Sequence, residues 1–368
     1  MAQMPTEILN ILHSAGYEAY YVGGCVRDIL LGREVHDWDI TTSALPEEVM
    51  ACFPHCIPTG VRHGTVTVLL DQVQAEVTTY RTDGRYEDGR HPDQVTFVRS
   101  LREDLARRDF TINAMAMDGA GKITDLFEGQ SDLKRRLLRC VGEPSRRFQE
   151  DALRMLRALR FSAQLSFMLE PQTELAIRQF APLARNLSAE RVREEMEKTL
   201  LSEHPERLDD MAAMGLLEAF TERGGTSCRW IADLPPERTV RWAALCRSWP
   251  NLKLEALRLD RRTTKTALAA AASKPPQSTA AWKQLIADQG PQLAEVVAAL
   301  AGCPEQIEEI LNSGQCVCLR DLAVRGSDFP QLHGQEVGKL LHTLLCHVLE
   351  HPEDNQKEIL LKIARRQN

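Results

Sequence analysis

The stretch Tyr20-Tyr21-Val22-Gly23-Gly24-Cys25-Val26-Arg27-Asp28-Ile29-Leu30-Leu31-Gly32-Arg33-Glu34-Val35-His36-Asp37-Trp38-Asp39-Ile40 constrains the fold more than any other. A short apolar strand runs into paired glycines, a helical segment carries Arg27-Asp28, and a second strand opens with two aspartates at i and i+2. Without a Cβ, Gly23 and Gly24 allow turn conformations closed to other residues and let backbone N–H groups approach a polyphosphate, with Arg27 as the charged clamp. Side chains on a strand alternate with period two, which predicts Asp37 and Asp39 on one face and Trp38 on the other. Two convergent carboxylates suit Mg²⁺, which takes oxygen ligands from a few acidic residues together with substrate phosphates. A lone Gly-Gly is usually a turn and a lone Asp-x-Asp usually a solvated strand edge. At this spacing the two together make a phosphate cradle followed by a metal site.

Around this stretch the pattern alternates helix and strand. Residues 5 to 15 read as an amphipathic helix with Ile8, Leu9, Ile11 and Leu12 on one stripe, ending at Gly16. Strand Glu18–Val22 opens the cradle. Ser43-Ala44-Leu45-Pro46-Glu47-Glu48-Val49 reads as an N-capped helix with proline in its first turn and acidic residues that suit the helix dipole. Thr65–Leu70 and Gln74–Tyr80 read as strands about a turn at Asp71-Gln72. Asp83 to Asp93 is polar, glycine-rich and aperiodic, the pattern of a mobile loop. In Arg107-Arg108-Asp109-Phe110-Thr111-Ile112-Asn113-Ala114-Met115-Ala116, two arginines lead into a small-residue helix, placed to reach phosphates, and Asn113 is suited to a ribose hydroxyl or a phosphate. Beyond about residue 140 strand signals fade. Phe148–Phe161, Pro171–Phe180, Ser188–Leu201 and Pro205–Met214 follow the helical period, and residues 225 to 310 are alanine- and leucine-rich helices broken at Ser273–Ser278.

At 368 residues the chain accommodates two or three compact units, and its 43% hydrophobic and 26% charged content is that of a soluble globular protein. No apolar run approaches the ~20 residues of a membrane span, and the start lacks the basic flank and apolar core of a signal peptide, so a cytoplasmic protein without membrane attachment is expected. Ten scattered cysteines fit a reducing compartment. Cys52-x-x-x-Cys56 and Cys316-x-Cys318 have no second Cys/His pair nearby, so zinc is not expected. The net charge of −7 argues at first against a nucleic-acid partner. Phosphate is bound by local patches, however, and from Lys134 to Arg160 nine basic residues face only Glu143, Glu150 and Asp151.

The second informative stretch is Glu150-Asp151-Ala152-Leu153-Arg154-Met155-Leu156-Arg157-Ala158-Leu159-Arg160-Phe161. On a helix Asp151 and Arg154 would point into one cleft, with Arg157 and Arg160 continuing the row. An isolated pair of this kind is ordinarily a surface ion pair worth little. Cytosine and adenine, however, each present an exocyclic amine donor beside a ring-nitrogen acceptor, to which an Asp acceptor and an Arg donor are complementary. Uracil and guanine present a carbonyl beside an N–H, and the mismatch leaves buried polar groups unpaired. Such a site selects C and A over U and G without a template.

The cradle, the Arg107–Ala116 segment, Asp125-Leu126-Phe127-Glu128-Gly129-Gln130-Ser131-Asp132-Leu133 and the Asp151–Arg160 row together resemble the motifs of the class II tRNA nucleotidyltransferases, the CCA-adding and poly(A) polymerase family within the polymerase-β-like superfamily. The match covers residues 18 to 220 and resumes weakly from Asp321 to Gly338, with Gln335 where relatives often have proline. The resemblance implies an α+β fold: a nucleotidyltransferase head with a small mixed sheet and helices (1–140), then an all-α neck with the nucleotide-reading motif (141–220), body (221–310) and tRNA-binding tail (311–368). It also implies template-independent addition of C, C and A to tRNA from CTP and ATP with Mg²⁺, Asp37 and Asp39 holding the metal and Glu76 supporting them. Gly24, Arg27, Arg108, Asp151, Arg154, Arg157 and Arg160 would bind the nucleotide, and no protein partner is evident. Members that add only CC look shortened in the loop this chain keeps at Asp83–Asp93, and poly(A) polymerase relatives differ at Pro58–Val66. An A-adding enzyme stays open. Small-molecule nucleotidyl transfer is disfavoured by the long helical C-terminal half, and a silent tRNA-binding module by the intact carboxylates and arginines.

Overall fold

Helix α1 (Thr6–Ser14) buries Ile8, Leu9 and Leu12 and ends before Gly16, whose φ of +90° turns the chain into strand β1 (Ala19–Val22). The computed structural model describes residues 4–70, 73–83, 95–222 and 225–367. Most of the expected loop at Asp83–Asp93, and the turn at Asp71-Gln72, lie outside the described residues. After β1 come α2 (Gly24–Leu30), β2 (Trp38–Thr42), α3 (Pro46–Cys52), β3 (Cys56–Gly60), β4 (Thr65–Leu70) and β5 (Val73–Thr79). They are followed by β6 (Arg81–Asp83), β7 (Val95–Phe97), α4 (Leu101–Ala106), β8 (Met115–Met117) and β9 (Ile123–Asp125).

Seven strands form one mixed sheet in the order β3-β4-β5-β2-β1-β8-β9, and β6 pairs with β7 in a separate ribbon. Within this sheet, among the described residues, only β2 and β5 pair in parallel, in the register Trp38↔Ala75, Asp39↔Glu76, Ile40↔Val77. Trp38 and Ile40 are buried alongside Ala75 and Val77, which leaves Asp39 and Glu76 together on the other face. Trp38 packs against Tyr21 with ring centroids 5.2 Å apart.

Three local expectations are corrected. Phe110–Ala116 is not a helix: a single 3₁₀ turn at Thr111–Asn113 is followed by β8, which pairs antiparallel with Tyr21 and Val22, so sheet pairing overrides the helical preference of small residues. Ser43 does not cap α3. Its Oγ accepts the N–H of Glu18 at 2.9 Å, and the Glu48 carboxylate accepts the N–H of Leu45, the N-cap residue, at 2.7 Å. The helix expected over Phe148–Phe161 breaks in two.

Beyond the sheet lie α5 (Gly129–Arg135), the short strand β10 (Leu137–Leu138), α6 (Pro144–Glu150), α7 (Leu153–Leu165), β11 (Met168–Leu169), α8 (Pro171–Phe180), α9 (Ala189–Leu200) and α10 (Arg207–Ala213). The break between α6 and α7 falls at Asp151, whose backbone is extended (φ −145°, ψ 106°) and whose carboxylate accepts the N–H of Leu153 at 3.0 Å. A short acidic side chain here competes with the helical ladder and restarts it.

The described residues divide into two compact units. One gathers the chain up to Thr199 with Arg207–Ala219, and the other Leu200–Glu206 with Phe220 onward. The second is all-helical: α11 (Arg238–Ser248), α12 (Arg261–Ala272), α13 (Thr279–Gln289), α14 (Pro291–Ala301), α15 (Pro304–Asn312), α16 (Gln335–Glu350) and α17 (Lys357–Gln367). Within it buried Arg241 donates to the carbonyls of Leu200, Ser202, Leu234 and Pro235, tying the Leu200–Glu206 segment to α11. Leu340, Leu344, Val348 and Leu360 form a separate apolar cluster with Val324 and Phe329. Among the described residues no helix is long and apolar enough to cross a membrane.

Candidate active site

Gly23 is the point at which the expected parts converge. Its φ of +74° and ψ of −132° belong to glycine, and a Cβ there would stand 3.1 Å from Arg108 Nη1 and 3.4 Å from Asp39 Oδ2. Glycine turn, guanidinium and the carboxylate expected to hold a metal are thus within van der Waals reach of one backbone position. Beneath them Cys25 donates its S–H to the carbonyl of Val22 at 3.1 Å, and burial pushes its thiol up to about 11.

Asp39 lies on β2 directly beside Glu76 of β5, and Asp37 sits exposed just before β2 begins. Burial is the main cause that pushes the Asp39 carboxyl up to about 6; Arg108 and Arg27 pull it down, while the negative charges of Glu76 and Asp37 add to the rise. A partly buried carboxylate with two acidic neighbours is an environment that a cation relieves. The donors are hard oxygens, which fits a divalent ion such as Mg²⁺. Among the described residues no three Asp, Glu, His or Cys side chains form a closed metal cage.

The arginines are held from behind. Arg27 is bidentate to Asp28 at 2.9 Å and donates to Asn113 Oδ1 at 2.8 Å. Arg107 and Arg108 both pair with Asp104, at 2.8 and 3.1 Å, and Thr41 Oγ1 donates to the same carboxylate at 3.2 Å. Asp104 has no exposed surface; burial works to raise its carboxyl, but Arg108 and Arg107 outweigh it and hold the group below its ordinary range. Sequence reasoning passed over Asp104, although its i,i+3 and i,i+4 spacing to Arg107 and Arg108 was a usable signal.

The row expected to read the base is arranged differently from the single-helix picture. Asp151 accepts from Arg191 on α9 at 3.0 Å, while Arg154 donates to Glu150 at 3.0 Å and to the carbonyl of Arg107 at 3.2 Å. Arg157 donates twice to Asp109, and these bonds hold the Asp109 carboxyl at about 2 even though its burial works the other way. Arg160 donates to Glu195 at 2.5 Å and to Gln164 at 2.7 Å. Asn113, expected at a ribose or phosphate, bridges Arg27 and Asp109, donating to the latter at 3.3 Å. Arg191 and Glu195 were not found from the sequence, because nothing local marks a residue some 35 to 40 positions away as a partner.

The basic stretch from Lys134 to Arg160 therefore divides. Arg139, Arg146, Arg147, Arg154, Arg157 and Arg160 are engaged with carboxylates, while Lys134, Arg135 and Arg136 are exposed.

Residues 19–139 match the family model described as the poly A polymerase head domain, and residues 166–222 match the one described as "Probable RNA and SrmB- binding site of polymerase A". The CCA-adding enzyme of Lactobacillus helveticus is 57% identical over 197 residues, covering 54% of this chain and 49% of that protein, so this match spans about half the relative's length. The CCA-adding enzyme of Geobacillus kaustophilus is 42% identical over 380 residues, 95% of this chain and 93% of the relative. The crystal structure of Bacillus stearothermophilus CCA-adding enzyme in complex with CTP superimposes with a TM-score of 0.85 at 37% identity, over 99% of both chains.

Proposed function

The chain belongs to the family of CCA-adding enzymes, tRNA nucleotidyltransferases, and on that premise we propose that it adds C, C and A to the 3′ end of tRNA from CTP and ATP, releasing pyrophosphate. In each addition the tRNA 3′-hydroxyl attacks the α-phosphate of the nucleotide, and the bond to the β-phosphate breaks. The observation that carries this reading is the meeting of Gly23, Arg108 and Asp39 at one position. Catalysis of phosphoryl and nucleotidyl transfer is mostly alignment and charge stabilisation, and this position offers both.

Asp37 and Asp39, with Glu76 beside them, would hold Mg²⁺. Bound there, the ion supplies neutralisation of triphosphate charge and acidifies a nearby hydroxyl. Arg27 and Arg108 grip the triphosphate, and the glycine turn keeps the approach to it clear of side chains. Asp151 accepts from the exocyclic amine of C or A. A carboxylate offers about four lone-pair sites, so the Leu153 and Arg191 donors do not exhaust it. Arg154 supplies the donor to the ring nitrogen, and Arg157 and Arg160 surround the nucleotide. The protein would work in the cytoplasm, where tRNA is matured.

The test is incubation with tRNAs that end before CCA, after the first C and after the second C, with CTP and ATP separately and together. Full extension of all three is expected. Extension of only the last, with ATP, would make it an A-adding enzyme, and no extension of any would refute the reading.

A further inference from the structure

Three guanidinium groups from two separate parts of the chain share one aromatic ring. Phe161 on α7 lies with its centroid 3.8 Å from the guanidinium carbon of Arg160 and 5.3 Å from those of Arg27 and Arg157. Its edge meets Phe110 at a centroid distance of 5.8 Å and an angle of 79°, and the residue is 7% exposed. Arg27 comes from the helix after the glycine turn, while Arg157 and Arg160 come from the same helix as the ring. Each of the three has its own anionic partner: Asp28 for Arg27, Asp109 for Arg157 and Glu195 for Arg160. No carboxylate is shared between the head arginine and the helix arginines. What they share directly is the ring, together with the Asn113 bridge between Arg27 and Asp109.

An aliphatic side chain at this position would fill the same volume without attracting any of the three cations. The electron-rich face of phenylalanine attracts a cation within about 6 Å of its centroid, more strongly when water is excluded. Three like charges gathered at one place repel each other unless something negative or π-rich lies between them. We infer that Phe161 is a positioning residue: its ring sets the spacing between the phosphate-gripping Arg27 and the nucleotide-facing Arg157 and Arg160, so that triphosphate and nucleoside are presented to the carboxylates in one fixed relation. This inference rests on the nucleotidyltransferase reading of the site.

The role is electronic as well as steric, and the experiment separates the two. Phe161 is replaced by 4-fluorophenylalanine and by pentafluorophenylalanine, which keep the ring's shape while progressively withdrawing charge from its face, and by leucine in F161L. Affinity for CTP and for ATP is measured by titration without tRNA, and CMP and AMP addition to tRNA is measured separately, with the thermal midpoint as a control on folding. Nucleotide Kd is expected to rise in graded fashion along the fluorinated series, reaching about thirtyfold with the pentafluoro ring and with leucine, the scale of one desolvated cation–π contact. The KM for tRNA and the thermal midpoint of the fluorinated proteins should stay at the unmodified values. A Kd that is flat across the fluorinated series would overturn the inference and leave Phe161 as core filler, even if F161L unfolds. Unmodified protein that binds CTP but extends no tRNA would instead refute the proposed reaction, and the Kd series would still decide the role of the ring.

Discussion

Replacing Asp104 by asparagine tests whether this buried carboxylate holds Arg107 and Arg108, the second of them proposed to grip the triphosphate, in place. The Asp104 carboxylate accepts from Arg107 Nε and Nη2 at 3.0 and 2.8 Å, from Arg108 Nη2 at 3.1 Å and from Thr41 Oγ1 at 3.2 Å, with no solvent contact. Removing one partner of a buried ion pair costs about 3–5 kcal/mol, and asparagine retains one acceptor oxygen, so the low end, about 3 kcal/mol, is expected. In a unit of this size that lowers the melting transition by roughly 6–12 °C. Arg108, released from its carboxylate, has Asp39 close by across Gly23 as an alternative partner. Pairing there would occupy a carboxylate oxygen proposed to hold the metal, and nucleotide addition should fall more steeply than stability alone explains. Linkage gives a second signature. The Asp104 carboxyl is held below its ordinary value in the folded protein, so its contribution is present in full above the unfolded value near ~3.9 and is lost as pH falls through the folded value. The wild-type and D104N unfolding curves should therefore be furthest apart near neutral pH and draw together in acid. Urea unfolding across pH, with single-turnover CMP addition on the same samples, measures both. A variant within about 0.5 kcal/mol of wild type, the range of an ordinary surface change, and equally active would refute the argument.

Three other outcomes are expected. Asp37→Ala and Asp39→Ala should each reduce nucleotide addition by about 10²–10³-fold or more while leaving thermal stability and tRNA affinity nearly unchanged, and near-normal turnover in either would remove that residue from the metal site. Gly23→Ala forces a side chain into a glycine-only backbone region against Arg108, and about 1–3 kcal/mol of lost stability with a raised KM for both nucleotides should be seen by thermal melting and steady-state kinetics. Asp151→Ala should lower CMP and AMP incorporation and narrow the preference over UMP and GMP in a four-nucleotide competition. It should also cost about 1 kcal/mol of stability from the lost cap on Leu153, and unchanged selectivity would reduce Asp151 to a cap and an ion pair with Arg191.

Much of this molecule is written locally. The strand–glycine–helix–strand run, the stripe of α1, the span of α8 and the break between α12 and α13 follow from periodicity, glycine placement and polar interruptions, each of which acts within a few residues. The convergence of the site's parts was legible in part, because glycine turn, Asp39 and Arg108, singled out by residue type and spacing, meet at one backbone position. What local pattern could not carry was who faces whom. The parallel pairing that sets Asp39 beside Glu76 joins strands separated by a helix and two other strands. The partners that hold the arginines, Asp104 behind Arg107 and Arg108, Glu195 on Arg160 and Arg191 on Asp151, meet mostly across elements. The same distant contacts overruled local preference where the two disagreed, turning a small-residue segment into β8. A side chain's identity limits which bonds it can make, but only closure of the tertiary fold decides which of several eligible carboxylates each arginine finds, and so where its remaining donors point.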